Sequence, residues 1–249
     1  MTTVLKLGGS VITDKDRRET LDGDALSAAT DAVAGAVADT DLALVHGAGS
    51  FGHHYAEKHG VGVTEGTTDA GAALEIHGSM TTLNRFVLSR LHDRDVPALP
   101  VHPLSAGARD AEATLQHPMQ TVRTMLQEGF VPVSHGDVIA HENEGVTVLS
   151  GDELVVALAP AIDADRVGLC STVPGVLDDT GSVVDRVDAF ADVADAVGDS
   201  EATDVTGGMA GKVRALLALG VPAQIFGPDA LDAFLAGEAP GTTIAGCRE

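Results

Sequence analysis

Short runs rich in aliphatic residues recur along the chain at Val4–Leu7, Leu42–Val45, Pro97–Val101, Val131–Val133, Arg166–Cys170 and Ala223–Phe226. They read as β-strands. Between them the apolar positions change period. Ala25–Ala38 is Ala-rich, Ile76, Met80, Leu83, Val87 and Leu91 recur at helical spacing, and so do Met209, Val213, Leu216 and Leu217. Strands separated by helices of this length predict right-handed crossovers and a mostly parallel sheet covered on both faces, the α/β class. His141–Gly145 (HENEG), between apolar stretches, reads as a hairpin tip. There is no internal repeat and no low-complexity linker, so residues 1–249 are expected to form one domain. The nearest thing to a boundary lies around Asp152–Asp163, which divides the chain into lobes 1–158 and 159–249.

Composition narrows the class. Lys plus Arg number 15 against 37 Asp plus Glu, a net charge of −22, while 44% of residues are hydrophobic and only 3% aromatic. That apolar content excludes a disordered acidic tail, which lacks the surface to bury. The charge argues against a nucleic-acid partner or an anionic membrane surface. The stretch 163–204 holds eleven carboxylates and two Arg, and reads as a solvated face. Acid-rich, Lys-poor composition fits a protein of a high-salt cell, where dense salt screens self-repulsion; an intrinsically acidic mesophilic protein is the alternative. Only Cys170 and Cys247 occur, which fits a reducing cytosol, and the N-terminal residues lack the pattern of a signal peptide. No apolar run approaches the roughly 20 residues needed to span a bilayer. The expectation is a soluble cytoplasmic protein.

Three glycine-rich loops carry the candidate chemistry. Lys6-Leu7-Gly8-Gly9-Ser10 follows the first strand, where glycines let backbone N–H groups approach an anion and the lysine adds a mobile charge. Lys15 follows closely enough to return to the same site. An ordinary strand-to-helix turn is the competing reading. His46-Gly47-Ala48-Gly49-Ser50-Phe51-Gly52-His53-His54 follows the second strand, and His53 can donate to a phosphate oxygen. A metal site of His53, His54 and His59 lacks accompanying acidic ligands; His54 and His59 read as surface-helix histidines. Thr206-Gly207-Gly208-Met209-Ala210-Gly211-Lys212 opens the third helix. A lysine there opposes the helix dipole unless an anion lies between them. Windows 1–13, 42–56 and 205–227 contain no Asp or Glu, which suits polyanion sites, although 76–92, 96–109 and 113–127 share that property.

Taken in order, KLGGSVITDK, HGAGSFGHH, VSHGDV, SGDE and TGGMAGK resemble the amino acid kinase superfamily over nearly the whole chain. Within it they resemble the isopentenyl phosphate kinases, whose catalytic histidine matches His53 in GSFGH. Fosfomycin kinases share that loop. The resemblance implies a three-layer αβα sandwich around a mostly parallel open sheet, usually a homodimer. It also implies ATP with Mg²⁺, and phosphorylation of isopentenyl phosphate to isopentenyl diphosphate in archaeal-type isoprenoid synthesis. The acceptor would belong to 1–158 and the nucleotide to 159–249. Lys6, Gly8, Gly9 and Ser10 match the loop that holds ATP phosphates, and Lys15 the lysine that helps position the transferred group. Gly47, Gly52 and Gly136 match acceptor contacts beside His53. Ala48 occupies a glycine position facing the nucleotide, while Gly208 and Lys212 match the later nucleotide segment. Two departures exist. Ala48 replaces glycine, a small change provided φ stays negative, and Thr172 stands where the superfamily often has an acidic residue.

A phosphate acceptor is already anionic near neutral pH, so no strong general base is needed. Lys6, Lys15, Lys212 and Mg²⁺ would supply the positive field, with His53 anchoring the acceptor. Magnesium would be held by ATP phosphates and water, with no protein ligand assigned and Asp152 a helper. Met80, Leu83 and Phe86 are candidates for an apolar slot, against a reading as plain core. A non-catalytic nucleotide sensor of the same fold and a histidine-based metal store remain alternatives from other classes.

Overall fold

The computed structural model describes residues 1–117, 119–197 and 208–245. In chain order the first half contains β1 (Thr2–Leu7), α1 (Gly9–Ile12), α2 (Gly23–Ala36), β2 (Asp41–His46), α3 (Gly49–His59), α4 (Ala70–His92), β3 (Ala98–Val101), α5 (Pro103–Ala106), β4 (Ala108–Arg109), β5 (Leu115–Gln116) and α6 (Gln120–Gln127). The second half continues with β6 (Val131–His135), β7 (Asp137–His141), β8 (Gly145–Leu149), α7 (Gly151–Ala161), β9 (Arg166–Cys170), β10 (Arg186–Val187), α8 (Ala194–Val197), α9 (Gly208–Leu217), β11 (Ala223–Phe226), α10 (Leu231–Leu235) and β12 (Thr242–Ile244).

All six strands expected from the sequence lie side by side in one sheet, ordered β10-β12-β11-β9-β1-β2-β6-β3, and those six run parallel. The sequence pattern missed β12, which is antiparallel to β11, and β10 beside it. It also missed a second sheet, β5-β4-β7-β8, of which it had recognised only the β7–β8 tip. Strands of two or three residues are too short to show a period.

Alternation along each central strand sends side chains to opposite layers. Val4, Ala43 and Val45 pack with Leu154 and Leu158 of α7 and Val213 of α9. Leu5, Leu7, Leu42 and Leu44 pack with Leu26 of α2, Leu83 and Val87 of α4 and Phe234 of α10. The result is a three-layer αβα sandwich. Local chemistry sets the helix starts. Asp22 accepts from Ala25 N ahead of α2, Asp69 accepts from Gly71 N ahead of α4, and Ser150 with Glu153 closes a capping box ahead of α7. The acidic stretch, so far as it is described, is largely exposed outside buried β9.

From β1 the chain passes to β2, crosses to the edge at β3 and comes back to β6 between them, then moves to the other side of β1 through β9 and β11. Winding therefore reverses between β1 and β9. Loops leaving the carboxyl ends of those two strands diverge and open a crevice there, the position at which open α/β sheets bind ligands.

Candidate active site

Lys6 is the penultimate residue of β1, on the same face as Val4, and alternation aims it at α7. It is 7% exposed. Its Nζ lies 2.8 Å from Asp152 Oδ1 in the first turn of α7, and Lys212 Nζ from α9 lies 3.7 Å from Asp152 Oδ2. Two lysines thus share one carboxylate. Burial pushes the Asp152 carboxyl up, but the lysine charges outweigh it and hold the group below the usual carboxylate range. Gly151 makes room for this arrangement, since a Cβ there would stand 3.0 Å from Lys6 Cε. The three carboxylate-free windows suit a polyanion site, yet it includes Asp152, expected only as a helper to magnesium. Asp152 enters from α7, outside all three windows, and is the anion that offsets Lys212 near the start of α9.

The first two glycine loops do more than approach a ligand. A Cβ on Gly47 would lie 2.6 Å from Gly9 N, and one on Gly9 would collide with the backbone of Gly49. The loops therefore meet backbone to backbone. Thr13 Oγ1 donates to Gly9 O at 2.8 Å and accepts from Ser50 N at 3.0 Å, tying α1 to α3. First-turn N–H groups have no partner inside their own helix, so those of Gly9, Ser10, Ala48 and Gly49 are grouped around this junction. Ala48 has φ −78°, so the methyl group in place of hydrogen introduces no backbone strain.

A cleft of about 220 Å³ opens over the junction. It is lined by Lys6, Gly8, Gly9, Ser10, Gly47, Ala48, Gly52, His53, Gly136 and Lys212, so residues from every loop named in the sequence converge. His53 projects from α3 and is exposed. Lys15 is not in this cleft; it lines an adjoining depression that shares Ser10 and Thr172 with it. Gly208 opens α9, and its carbonyl lies 3.4 Å from Lys212 Nζ. Thr206 and Gly207 lie outside the described residues. Ser171 and Thr172 also line the cleft, beside buried Cys170, whose thiol burial pushes up to about 12 and keeps protonated.

Away from the lysines the lining becomes apolar, with Ala56, Ile76, Met80 and Val148. Of the three residues expected to form an apolar slot, only Met80 is there. Leu83 is fully buried in the core, and Phe86 is 42% exposed on the outer side of α4, edge-on to Phe51. Helical spacing selected one stripe of α4, but the cleft uses the end of that stripe nearest α3. His54 is exposed, as expected of a surface-helix histidine, while His59 pairs with Glu75 at 2.5 Å. No group of three metal-ligating side chains exists among the described residues.

Sequence reasoning missed a layer of buried polar groups behind the cleft. His46, Asn84, His135 and Asp137 are all nearly inaccessible. His77 Nδ1 lies 2.8 Å from Asp137 Oδ2. Burial pushes the Asp137 carboxyl up, and its hydrogen bond pushes the His77 imidazole up. VSHGDV carried the signal, two polar residues flanking a glycine at a strand end, but only Gly136 was drawn from it.

Parallel winding, a crevice at the reversal point, unsatisfied N–H groups and paired lysines define a phosphate-binding α/β protein of the kinase type. The profile of the amino acid kinase family matches residues 1–225, and the chain belongs to that family. It is 60% identical over 243 residues to the isopentenyl phosphate kinase of Haloferax volcanii, covering 98% of each chain. Against the isopentenyl phosphate kinase of Methanothermobacter thermautotrophicus the identity is 36% over 267 residues, again with 98% of each covered. Crystallographic isopentenyl phosphate kinase superposes with a TM-score of 0.83 at 28% identity, over 98% of this chain and 100% of that one.

Proposed function

We propose that the chain transfers the γ-phosphoryl group of ATP to isopentenyl phosphate, giving isopentenyl diphosphate and ADP. One observation carries the reading: the paired lysines, the interlocked glycine loops and His53 share a single cleft, in a chain 60% identical to an isopentenyl phosphate kinase. An acceptor phosphate oxygen forms the new bond to the γ-phosphorus as the bond to the bridging oxygen of ADP breaks. The attacking oxygen is anionic at neutral pH, so the protein's task is to hold two polyanions in line. Lys6 and Lys212 neutralise the transferred group, and the N–H groups of Gly9, Ser10, Ala48 and Gly49 receive phosphate oxygens. Lys15 reaches the phosphates from the adjoining depression, and His53 anchors the acceptor between Gly47, Gly52 and Gly136. The tail lies along Ala56, Ile76 and Met80. On this reading 1–158 supplies the acceptor side and 159–249, through Gly208 and Lys212, the nucleotide side.

Magnesium fits as an ion carried by the nucleotide phosphates and water, because Asp152 is already engaged by two lysines and no carboxylate cage surrounds the cleft among the described residues. Bound there, it neutralises phosphate charge. The active form is taken to be a homodimer, measurable by light scattering in molar KCl.

An ATP-coupled assay in molar KCl with isopentenyl phosphate, dimethylallyl phosphate, fosfomycin and UMP tests the reading, with isopentenyl phosphate expected to give the highest kcat/KM. Preference for fosfomycin or UMP would reassign the acceptor. In His53→Ala, kcat/KM for the acceptor should fall about 100-fold while ATP binding is retained. Turnover like that of wild type would remove His53 from the mechanism.

A further inference from the structure

At the carboxyl ends of neighbouring strands β2 and β6, His46 and His135 are register partners. Both are fully buried, and their rings stack at 5.4 Å. Each turns the same atom to the same target. His46 Nδ1 lies 3.0 Å from Gly47 O, and His135 Nδ1 lies 2.9 Å from Gly136 O. A carbonyl oxygen only accepts, so both Nδ1 atoms carry the proton.

The opposite nitrogens have partners that match this assignment. His102 lies with Nδ1 2.8 Å from His135 Nε2 and donates to it. Asn84 Oδ1 stands 3.2 Å from His46 Nε2 while the Asn84 NH₂ has no partner among the described residues; exchanging the amide oxygen and nitrogen satisfies both groups, so the NH₂ is assigned toward the ring and donates to Nε2. Gly136 N also donates to His46 O at 3.0 Å, which links the two positions. Burial holds both rings neutral, with His46 pushed down to about 4 and His135 well below its ordinary value.

We propose that His46 and His135 are a matched pair of positioning residues, whose Nδ1–H groups pin the carbonyls of Gly47 and Gly136 and so set the peptide planes that wall the acceptor side of the cleft. The inference rests on the phosphoryl-transfer reading of that cleft. In a trans peptide the C=O and the following N–H point in opposite directions. Pinning Gly47 O to a buried ring therefore turns Ala48 N–H away from the ring. The His135 bond likewise fixes the chain where it passes from β6 into β7, at the glycine lining the cleft. Satisfied core histidines would need no common register and no common target; here two adjacent strands repeat one device on the two glycines at the site.

The test compares His46→Asn, His46→Leu, His135→Asn and His135→Leu with wild type in molar KCl, reading kcat, both KM values and Tm. Asn places an amide donor close to the Nδ1 position, whereas Leu fills similar volume without a donor. Leu variants should lose about 10- to 100-fold in kcat/KM for isopentenyl phosphate, as expected for misplacement of groups behind a site, with Asn recovering most of the loss. Leu and Asn variants that lose Tm equally while keeping wild-type kinetics would overturn the proposal. A turnover-independent readout is the ¹⁵N NMR tautomer of the two rings. Nδ1–H is expected for both at pH 7, and Nε2–H at either would overturn the assignment even if the wild-type chain used another acceptor. Absence of wild-type turnover on isopentenyl phosphate would instead count against the functional reading alone.

Discussion

Asp152 receives two of the four lysines in a chain with 37 acidic residues, and its place in the first turn of α7 puts it over the end of β1. Asp152→Asn would leave Lys6 and Lys212 facing each other with no carboxylate between them. Removing one partner of a buried charge cluster is costly because the remaining charges lose their compensation. We expect kcat to fall at least about 10-fold in the coupled assay; an unchanged kcat would show that Asp152 does not organise the two lysines. At Gly52 a Cβ would meet Met80 Sδ at 2.6 Å and Ala48 Cβ at 2.7 Å. The thioether can swing aside, but the Ala48 methyl cannot. Gly52→Ala should therefore raise the acceptor KM more than it lowers kcat, at a stability cost of about 1–3 kcal/mol seen in denaturant titration. Residues like Lys6 and His53 were legible because their loops are contiguous in sequence. Asp152, His46 and His135 acquire their roles from neighbours on other strands and helices, which no local pattern displays.

Between α1 and α2, residues 13–22 form a strap fastened to α3. Glu19 N donates to Ser50 O at 3.2 Å, Ser50 Oγ donates to Thr20 O at 3.2 Å, and Arg18 donates to the Tyr55 hydroxyl while its guanidinium stacks over that ring. The strap carries Lys15, so its fastening decides where that lysine stands. Tyr55→Phe keeps the ring but removes the hydroxyl, a loss of about 0.5–1.5 kcal/mol. If Lys15 acts on the transferred group, kcat should fall severalfold while Tm drops by only about 2–4 °C; unchanged kcat would detach the strap from catalysis. Central strands were readable because burial on both faces makes them continuous apolar runs, and the helices because burial of one face imposes a period of about 3.6 residues. β4, β5 and the strap were not, since two-residue strands and loop–helix stitching leave no periodic trace.

Over the whole molecule, a net charge of −22 surrounds a core built from small aliphatic residues. Raising ionic strength from 0.1 to 1 M shortens the screening length from about 10 to about 3 Å, so self-repulsion among surface carboxylates collapses. Tm should rise steeply with KCl; a flat dependence would contradict the repulsion account. Acid acts through another route. Burial pushes the His46 imidazole down from its usual 6.5 to about 4, so its contribution is complete above pH 6.5 and lost progressively as pH falls toward 4. The loss amounts to about 3 kcal/mol. In molar KCl, stability of wild type should drop across that window, and His46→Asn should show a shallower drop; equal slopes would place the acid sensitivity elsewhere.

The contact between Gly9 and the Gly47–Gly49 turn leaves no space for either loop to slide past the other. Such a floor is finished before any substrate arrives. On the proposed reading it works as a ruler, holding the two phosphates apart by protein backbone whatever tails or bases hang from them.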